Sequence, residues 1–195
     1  NKNKIFLIED ASQGVGVCNL EGEYAGSIGD IGVLSFYGNK FVTSAQGGMI
    51  ISNDNEILEK SMRFKNHGRS SKGTFFHEDI GFNFCISDLH SALGYAQLKR
   101  FKEIQKKKIE ILEHYKNLLN EKVKIDFIKS NNPSYWFISI FCSNAEMYER
   151  KLQESGIQTR RSFPPLDMQP CYENFKEIRF SDNQNAKKYL KLIYL

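Results

Sequence analysis

Lys40 is the residue of this 195-residue chain with the clearest potential for covalent chemistry. It stands in a loop of small and polar residues between two apolar runs, 31–36 and 49–51, and is the only basic residue between Lys4 and Lys60. A lysine that is held between two strands, clear of other cations, can lose its proton and attack a carbonyl carbon. A solvated loop lysine is the alternative that this stretch alone leaves open.

Three other polar residues could share a site with Lys40. Asp10 follows the apolar run 5–8, Gln13 lies in the next turn, and Ser35 stands near the end of the run 31–36. A carboxylate, an amide, a hydroxyl and an amine together suit pyridoxal phosphate, which needs a lysine for its aldehyde and a carboxylate for its ring nitrogen. Taken singly, Asp10 could form a turn, Gln13 could be a surface residue, and Ser35 could be an ordinary strand-end hydroxyl.

The elements expected around these residues form an α/β sheet. The continuous apolar run 5–8 is typical of a central parallel strand that is covered on both faces, and it would place Asp10 at the ligand-binding edge. Strands are predicted at 32–36 and 49–51, and a helix capped by Asn53 or Asp54 at about 55–65. Gly14-Val15-Gly16 begins like a dinucleotide fingerprint, but the third glycine and the following helix pattern are absent, so we reject that interpretation.

The second half of the chain favours a smaller α+β unit. A helix of about thirty residues, capped by Ser87 and ending near Leu119, is predicted from apolar residues at three- and four-residue steps, and would bridge two domains. Strands are expected at 123–128, 136–141 and 157–160. Ser143 and Glu146 have the spacing of a capping box for a further helix that ends near 156.

Composition narrows the classes of function. The 27 Lys and Arg residues against 23 Asp and Glu are mostly interleaved, which favours a solvated helix face over a nucleic-acid surface. The four cysteines are far apart and lack zinc-ligand spacing, so we expect no metal, and buried free thiols in a reducing cytoplasm. No apolar run reaches membrane-spanning length. The chain enters a buried-type strand after only four residues, with no preceding helix to cover it, and it stops within the apolar run 189–195, so we expect a fragment of a larger protein.

The amino-acid sequence of several segments resembles that of the DegT/StrS family of nucleotide-sugar aminotransferases. The segments are IEDASQGVG (8–16), GSIGDIGVLSFYGNK (26–40), GGMIISND (47–54), NHG (66–68), GFNFCISDLHSALGYAQL (81–98) and FPPL (163–166). The resemblance implies a fold-type-I, aspartate aminotransferase-like enzyme. Residues 1–105 would be the C-terminal part of its large cofactor-binding domain, and 106–195 a smaller C-terminal α+β domain.

The resemblance also implies roles for individual residues. Lys40 would bind pyridoxal 5'-phosphate covalently and move the proton, Asp10 would pair with the pyridine nitrogen, and Gln13 would lie against the ring near O3′. Ser35 would contact the phosphate, and Asn83 the phosphate of the neighbouring subunit in a homodimer. The implied reaction moves an amino group from glutamate to a keto-sugar nucleotide, with 4-keto-6-deoxy sugars favoured, for surface polysaccharide or lipopolysaccharide biosynthesis.

Substrate contacts are expected from His67 and from Arg160, although His67 could equally cap a helix end and two adjacent arginines on a strand face opposite ways. Cys85 replaces an arginine that is usual in the family, and Ala45-Gln46 replaces Gly-Glu. Two alternatives remain at this point. The chain could be a non-catalytic cofactor-binding sensor or an inactive remnant, or it could belong to a sugar dehydratase, although Lys40 argues against a dehydratase.

Overall fold

The computed structural model describes residues 5–70, 75–119, 124–126, 133–178 and 184–194. The chain forms two compact units, one made of Asn1–Glu110 with Lys129–Trp136 and the other of Ile111–Ile128 with Phe137–Leu195. The expected domains, 1–105 and 106–195, place their boundary close to this division but do not include the return of Lys129–Trp136 to the first unit. As a division into functional domains they stay a prediction.

The first unit is built on a three-stranded sheet of order β1-β2-β3. The strands are β1 (Ile8–Asp10), β2 (Ile31–Ser35) and β3 (Gly48–Ile51). β1 runs parallel to β2 with Asp10 opposite Val33, whereas β3 runs antiparallel to β2 with Gly48 opposite Ser35. The carboxyl ends of β1 and β2 therefore lie at the same edge of the sheet, as the sequence predicts.

The expected burial of the first apolar run is wrong for this chain. Ile5 is 63% exposed and Ile8 is 60% exposed. In the part of the chain that the structure describes, β1 pairs only with β2 and is an edge strand rather than a central one. A layer packed on each face of β1 would bury these side chains. Among the described residues they remain exposed to solvent instead.

Helix α1 (Asn55–Lys65) matches its predicted bounds because its end signals are local. The side chain of Asp54 accepts hydrogen bonds from the backbone N–H groups of Glu56 and Ile57, at 2.8 and 3.4 Å. Asp54 is thus the N-cap that the sequence offered. Asn66 follows as the C-cap, and Gly68 continues the chain with a positive φ of 71°.

The predicted single long helix is wrong, because the structure has two helices that meet at Arg100. They are α2 (Asp88–Lys99), which is capped by Ser87, and α3 (Phe101–Leu119). The Arg100 backbone N–H bonds to the carbonyl of Gln97, three residues back, and its side chain pairs with Glu103. This tightened turn ends the first helix without glycine or proline. The apolar residues of α2 are not buried either, since Leu89 is 84% exposed.

The second unit contains an antiparallel sheet of order β4-β5-β7-β6. Its strands are β4 (Lys124–Asp126), β5 (Ser139–Phe141), β6 (Arg160–Arg161) and β7 (Leu192–Tyr194). The α-helices are α4 (Ala145–Glu154) and α5 (Gln184–Lys188), and 3-10 helices lie at Leu166–Met168, Pro170–Ile178 and Tyr189–Lys191. The buried core includes Leu112, Ile138, Ile140, Ala145 and Ile193.

Three further details of the chain differ from expectation. The predicted strands at 136–141 and 157–160 are shortened to β5 and β6, and the N-cap of α4 is Asn144, whose side chain accepts from the Met147 N–H, rather than Ser143. The four cysteines are free, as predicted, but Cys85 and Cys171 are exposed rather than buried.

Among the helices of the described residues, none has the length and apolar character needed to cross a bilayer.

Candidate active site

The loop that carries Lys40 is held by backbone hydrogen bonds and by buried neighbours. Phe36 donates its N–H to Gly47 and accepts from the N–H of Ser44, which closes the loop at its base with distances of 2.9 and 2.8 Å. Val42 and Ser44 are each 1% exposed, and Phe41 is also buried. Because the residues after Lys40 are fixed in the interior, the lysine projects from an anchored loop.

The turn after β1 positions Asp10 and Gln13. The Ala11 N–H bonds to the carbonyl of Val33 at 2.9 Å, so the pairing with β2 continues past Asp10. The Asp10 carboxylate accepts from the backbone N–H of Ser12 at 3.1 Å and from the Ser12 hydroxyl. These bonds to Ser12, and more weakly the positive charge of Lys40, lower the pKa of Asp10. Asp10 is therefore a carboxylate at neutral pH.

Lys40 and Gln13 are in direct contact. The Lys40 Nζ donates a hydrogen bond to Gln13 Oε1 at 2.8 Å. Partial burial lowers the pKa of Lys40, while the charge of Asp10 opposes that shift. The structure therefore brings together the amine, the amide and the carboxylate that the sequence selects, and it makes the amine easier to deprotonate than an ordinary lysine.

Phe101 packs against both of the segments that carry these residues, a role that sequence reasoning missed. Its ring centroid lies 5.3 Å from that of Phe41, the residue after Lys40. On the other side, a Cβ added to Gly16 would lie only 1.9 Å from a carbon of the Phe101 ring. Gly16 also has a positive φ of 79°, so glycine is required there both by conformation and by the close approach of the ring.

Trp136 is the second residue that sequence reasoning missed, since the pattern predicts only a strand residue there. Its indole Nε1 donates to the carbonyl of Asn39 at 2.7 Å. The Lys40 Nζ lies 4.1 Å from the centroid of its ring. Trp136 and Lys40 are 96 positions apart in the sequence, and no local pattern signals such a pair.

As far as the structure describes the chain, the other predicted site residues are not joined to this group by hydrogen bonds. Ser35 lies at the end of β2, where its hydroxyl accepts from the Tyr37 N–H at 3.4 Å. Asn83 forms a backbone bridge with Asn66, and His67 donates its backbone N–H to Phe82 at 2.9 Å. Among the described residues, neither the Asn83 nor the His67 side chain bonds to Lys40, Gln13 or Asp10.

The two adjacent arginines of β6 have different surroundings within the second unit. Arg161 donates to the carbonyl of Leu190 at 2.7 Å and lies 3.9 Å from a carboxylate oxygen of Glu149. Arg160 is exposed on the same short strand. Of the pair, Arg160 is thus the one whose guanidinium is not engaged in these contacts, although its role stays a prediction.

The fold is that of the pyridoxal-phosphate-dependent aminotransferases. A DegT DnrJ EryC1 StrS aminotransferase from Brucella abortus superposes on the whole chain with a TM-score of 0.87 and 22% sequence identity, and the match covers 52% of that chain. This similarity confirms the predicted α/β fold class.

The chain belongs to the DegT/DnrJ/EryC1/StrS aminotransferase family, whose model matches residues 1–193. It is 33% identical to GDP-perosamine synthase of Escherichia coli O157:H7 over 86% of this chain and 47% of the relative. It is 31% identical to UDP-4-amino-4,6-dideoxy-N-acetyl-beta-L-altrosamine transaminase of Campylobacter jejuni, over 97% of this chain and 52% of the relative. The chain thus spans about half the length of these curated relatives.

Proposed function

We propose that the protein containing this chain is a pyridoxal-phosphate-dependent aminotransferase that acts on a nucleotide-linked keto-sugar. The observation that carries the proposal is the hydrogen bond of 2.8 Å between Lys40 Nζ and Gln13 Oε1, formed within electrostatic range of Asp10. Membership of an aminotransferase family supports the reaction class.

The described residues fit the cofactor. When bound, pyridoxal phosphate supplies an aldehyde for a lysine amine and an electron-withdrawing ring that stabilises negative charge at the reacting carbon. Lys40 has the required amine, with a pKa below the ordinary lysine value because of partial burial. Asp10 stays ionised, with its pKa lowered chiefly by Ser12, and can therefore hold a protonated ring nitrogen.

The remaining roles follow from position. Gln13 is assigned to the ring hydroxyl, because its amide already lies beside the lysine amine. Ser35 is assigned to the phosphate, from its place at the carboxyl end of β2. Asn83 is assigned to the phosphate of a neighbouring subunit from the resemblance of its GFNF segment to the family, and this role requires a homodimer.

The net reaction that we propose exchanges an amino group for a carbonyl oxygen. Glutamate becomes 2-oxoglutarate, and the ketone of the sugar becomes an amine. Lys40 acts as acid and base, because its Nζ can accept the proton from one carbon and return it to another. Asp10 keeps its negative charge throughout and so does not compete for that proton.

The substrate class rests on the relatives. The names of the E. coli and C. jejuni relatives contain a GDP-linked and a UDP-linked sugar, respectively. We therefore propose a nucleotide-linked 4-keto-6-deoxy sugar, with His67 and Arg160 as substrate contacts. The product would serve surface polysaccharide or glycan biosynthesis in the cytoplasm. We also propose that residues 1–105 belong to the large cofactor-binding domain and residues 106–195 to the smaller C-terminal domain.

The test uses the full-length protein and its K40A variant, with K60A as the control. Lys60 is an exposed lysine of α1 that pairs with Glu56 at 2.7 Å. After addition of pyridoxal phosphate and reduction with borohydride, mass spectrometry should find the pyridoxyl group on Lys40 in wild type and K60A and on no lysine in K40A. Amino transfer from glutamate to GDP- and UDP-linked 4-keto-6-deoxy sugars should follow the same pattern.

Four results would overturn the proposal. Labelling of another lysine in wild type, or undiminished transfer by K40A, would remove Lys40 from its role. Loss of the sugar hydroxyl without amino transfer would instead identify a dehydratase. Cofactor binding with neither reaction, for any keto-sugar nucleotide in the panel, would identify a non-catalytic binding protein.

A further inference from the structure

We propose that Trp136 is a positioning residue of Lys40, one that holds the lysine ammonium against its ring and fixes the preceding loop residue through its indole N–H. The inference rests on the proposed function, since it concerns the lysine assigned there to the cofactor. It adds a residue that lies outside the motifs singled out in the sequence.

Two contacts of different kinds converge on the Lys40 loop. The Lys40 Nζ lies 4.1 Å from the ring centroid, within the range of a cation–π interaction. The indole N–H, in the plane of the same ring, bonds to the Asn39 carbonyl at 2.7 Å. One side chain thus restrains both the backbone just before the lysine and the position of its amine.

Trp136 is itself anchored to α3. The Pro133 carbonyl accepts from Gln105 Nε2 at 2.9 Å, and the Trp136 carbonyl accepts from Lys108 Nζ at 3.4 Å. Ser134, between them, is 3% exposed. The segment that presents the indole is therefore tied to a helix, so the ring can act as a fixed wall for the Lys40 side chain.

Three residues act on the Lys40 amine, and together they restrain its position. Gln13 accepts its hydrogen bond, the negative charge of Asp10 favours its protonated form, and the face of Trp136 does the same through the ring quadrupole. The Lys108 Nζ lies 3.4 Å from the Trp136 carbonyl oxygen, and burial lowers the pKa of Lys108. An amine released from the cofactor would be kept by these contacts close to the position from which it can return a proton.

The proposal predicts how the charge of Lys40 responds to the loss of the ring. A cation–π interaction is worth about 0.5–1 kcal/mol at a partly exposed site, which corresponds to about a two- to five-fold change in the ratio of ammonium to free amine. Trp136→Leu keeps an apolar group in place but removes the quadrupole. The free amine of Lys40 should therefore increase about two- to five-fold at a pH below its midpoint.

The experiment measures the acylation rate of each lysine against pH, by trace labelling and mass spectrometry, in the full-length protein without cofactor. Wild type, W136L and W136F are compared, with Y95L as the matched control. Tyr95 faces Lys99 at 4.5 Å in the same kind of pair, on α2. We expect W136L to move the midpoint of Lys40 to lower pH with an unchanged plateau rate, W136F to move it less, and Y95L to leave it in place.

Hydrogen exchange of the same proteins separates the two contacts. W136F retains an aromatic face but cannot donate to Asn39, so amide exchange in the segment 38–41 should become faster while the lysine midpoint moves little. An unchanged Lys40 midpoint in W136L would overturn the proposal. A change in the plateau rate alone would do so too, because it would indicate only altered access of the reagent.

These outcomes are independent of the proposed function. The acylation profile needs neither cofactor nor substrate, so a pyridoxyl group on a different lysine would refute the function without changing this result. Conversely, Lys40 could carry the cofactor while its acylation midpoint stays the same in W136L. That result would leave the proposed function intact and refute the positioning role of Trp136. In the active protein, W136L should lower kcat for amino transfer with a smaller effect on KM for glutamate.

Discussion

The Glu9 carboxylate accepts hydrogen bonds from three backbone N–H groups of the connection between β1 and β2. A substitution of Glu9 therefore tests how much these bonds stabilise the connection. Gly26 donates to Oε2 at 3.0 Å, and Ile28 and Gly29 donate to Oε1 at 2.6 and 2.5 Å. Glu9 directly precedes Asp10, so these bonds also stabilise the strand end that carries the site. Glu9→Gln removes the charge and keeps the shape.

The expected cost follows from the hydrogen bonds. In E9Q the amide oxygen can retain the bonds of Oε1, weakened by about half without the charge, whereas its NH2 group would face the N–H of buried Gly26. A hydrogen bond to a charged group contributes about 1.5–3 kcal/mol, and a buried donor left without an acceptor costs about 1–3 kcal/mol. Because the Glu9 side chain is partly exposed, we take the lower values: about 1.5 kcal/mol in total for the two bonds weakened by half, and about 1 kcal/mol for the Gly26 N–H. The expected loss is therefore about 2.5 kcal/mol.

Urea unfolding of the full-length protein at pH 7 measures this loss, with E21Q as the control. Glu21 is an exposed carboxylate in the same connection, and its substitution should change the free energy of unfolding by less than about 0.5 kcal/mol. Hydrogen exchange of the segment 24–30 should be faster in E9Q alone. An E9Q protein as stable as E21Q would refute the reasoning that these three bonds hold the connection.

The effect of Glu9 should also depend on pH in one direction. Burial alone would raise its pKa, but the three backbone hydrogen bonds lower the pKa below the ordinary value of 4.5. A group whose pKa is lowered by folding stabilises the protein above its unfolded pKa, and that stability is lost as the pH falls through the folded value. The difference between wild type and E9Q should therefore be constant above pH 4.5 and shrink below it; a difference that widens in acid would contradict the assignment.

Two further predictions concern the groups around the amine and the turn. Gln13→Leu removes the acceptor for the Lys40 ammonium, so the acylation midpoint of Lys40 should move to lower pH; a shift to higher pH would be inconsistent with the hydrogen bond at 2.8 Å. Gly16→Ala should destabilise the protein by about 2–4 kcal/mol, from a positive φ and overlap with Phe101. Gly22→Ala, at a φ of 87° with open space around it, should cost only about 1 kcal/mol, and equal thermal shifts for the two would contradict the packing argument.

Much of the site could be predicted because its residues lie in local motifs. Asp10 and Gln13 fall within one turn, and Lys40 falls in a single short loop between two strands. The cap of α1 at Asp54 is likewise a local signal, and the helix bounds match the prediction. Residue type and spacing along a few positions are sufficient for such features.

The parts that could not be predicted depend on contacts between distant positions. The break at Arg100 has no glycine or proline to mark it, and it allows Phe101 to meet both Phe41 and the backbone at Gly16. Trp136 looks like a strand residue in the sequence, yet its ring faces Lys40. Such pairs arise from the packing of whole elements, which periodicity along the chain does not encode.

The distance between Asp10 and Lys40 depends on strand register as well as on these aromatic residues. In the parallel pair, Asp10 lies opposite Val33, and two residues later Ser35 ends β2 and leads into the Lys40 loop. A shift of the pairing by one residue would reverse the faces of every side chain in β1. The Asp10 carboxylate would then point away from the Lys40 amine, even if the local turn after β1 and the Lys40 loop were unchanged. Glu9, which binds the connection between the two strands, and Phe101, which contacts both loops, restrain that register from opposite ends of the β1–β2 connection.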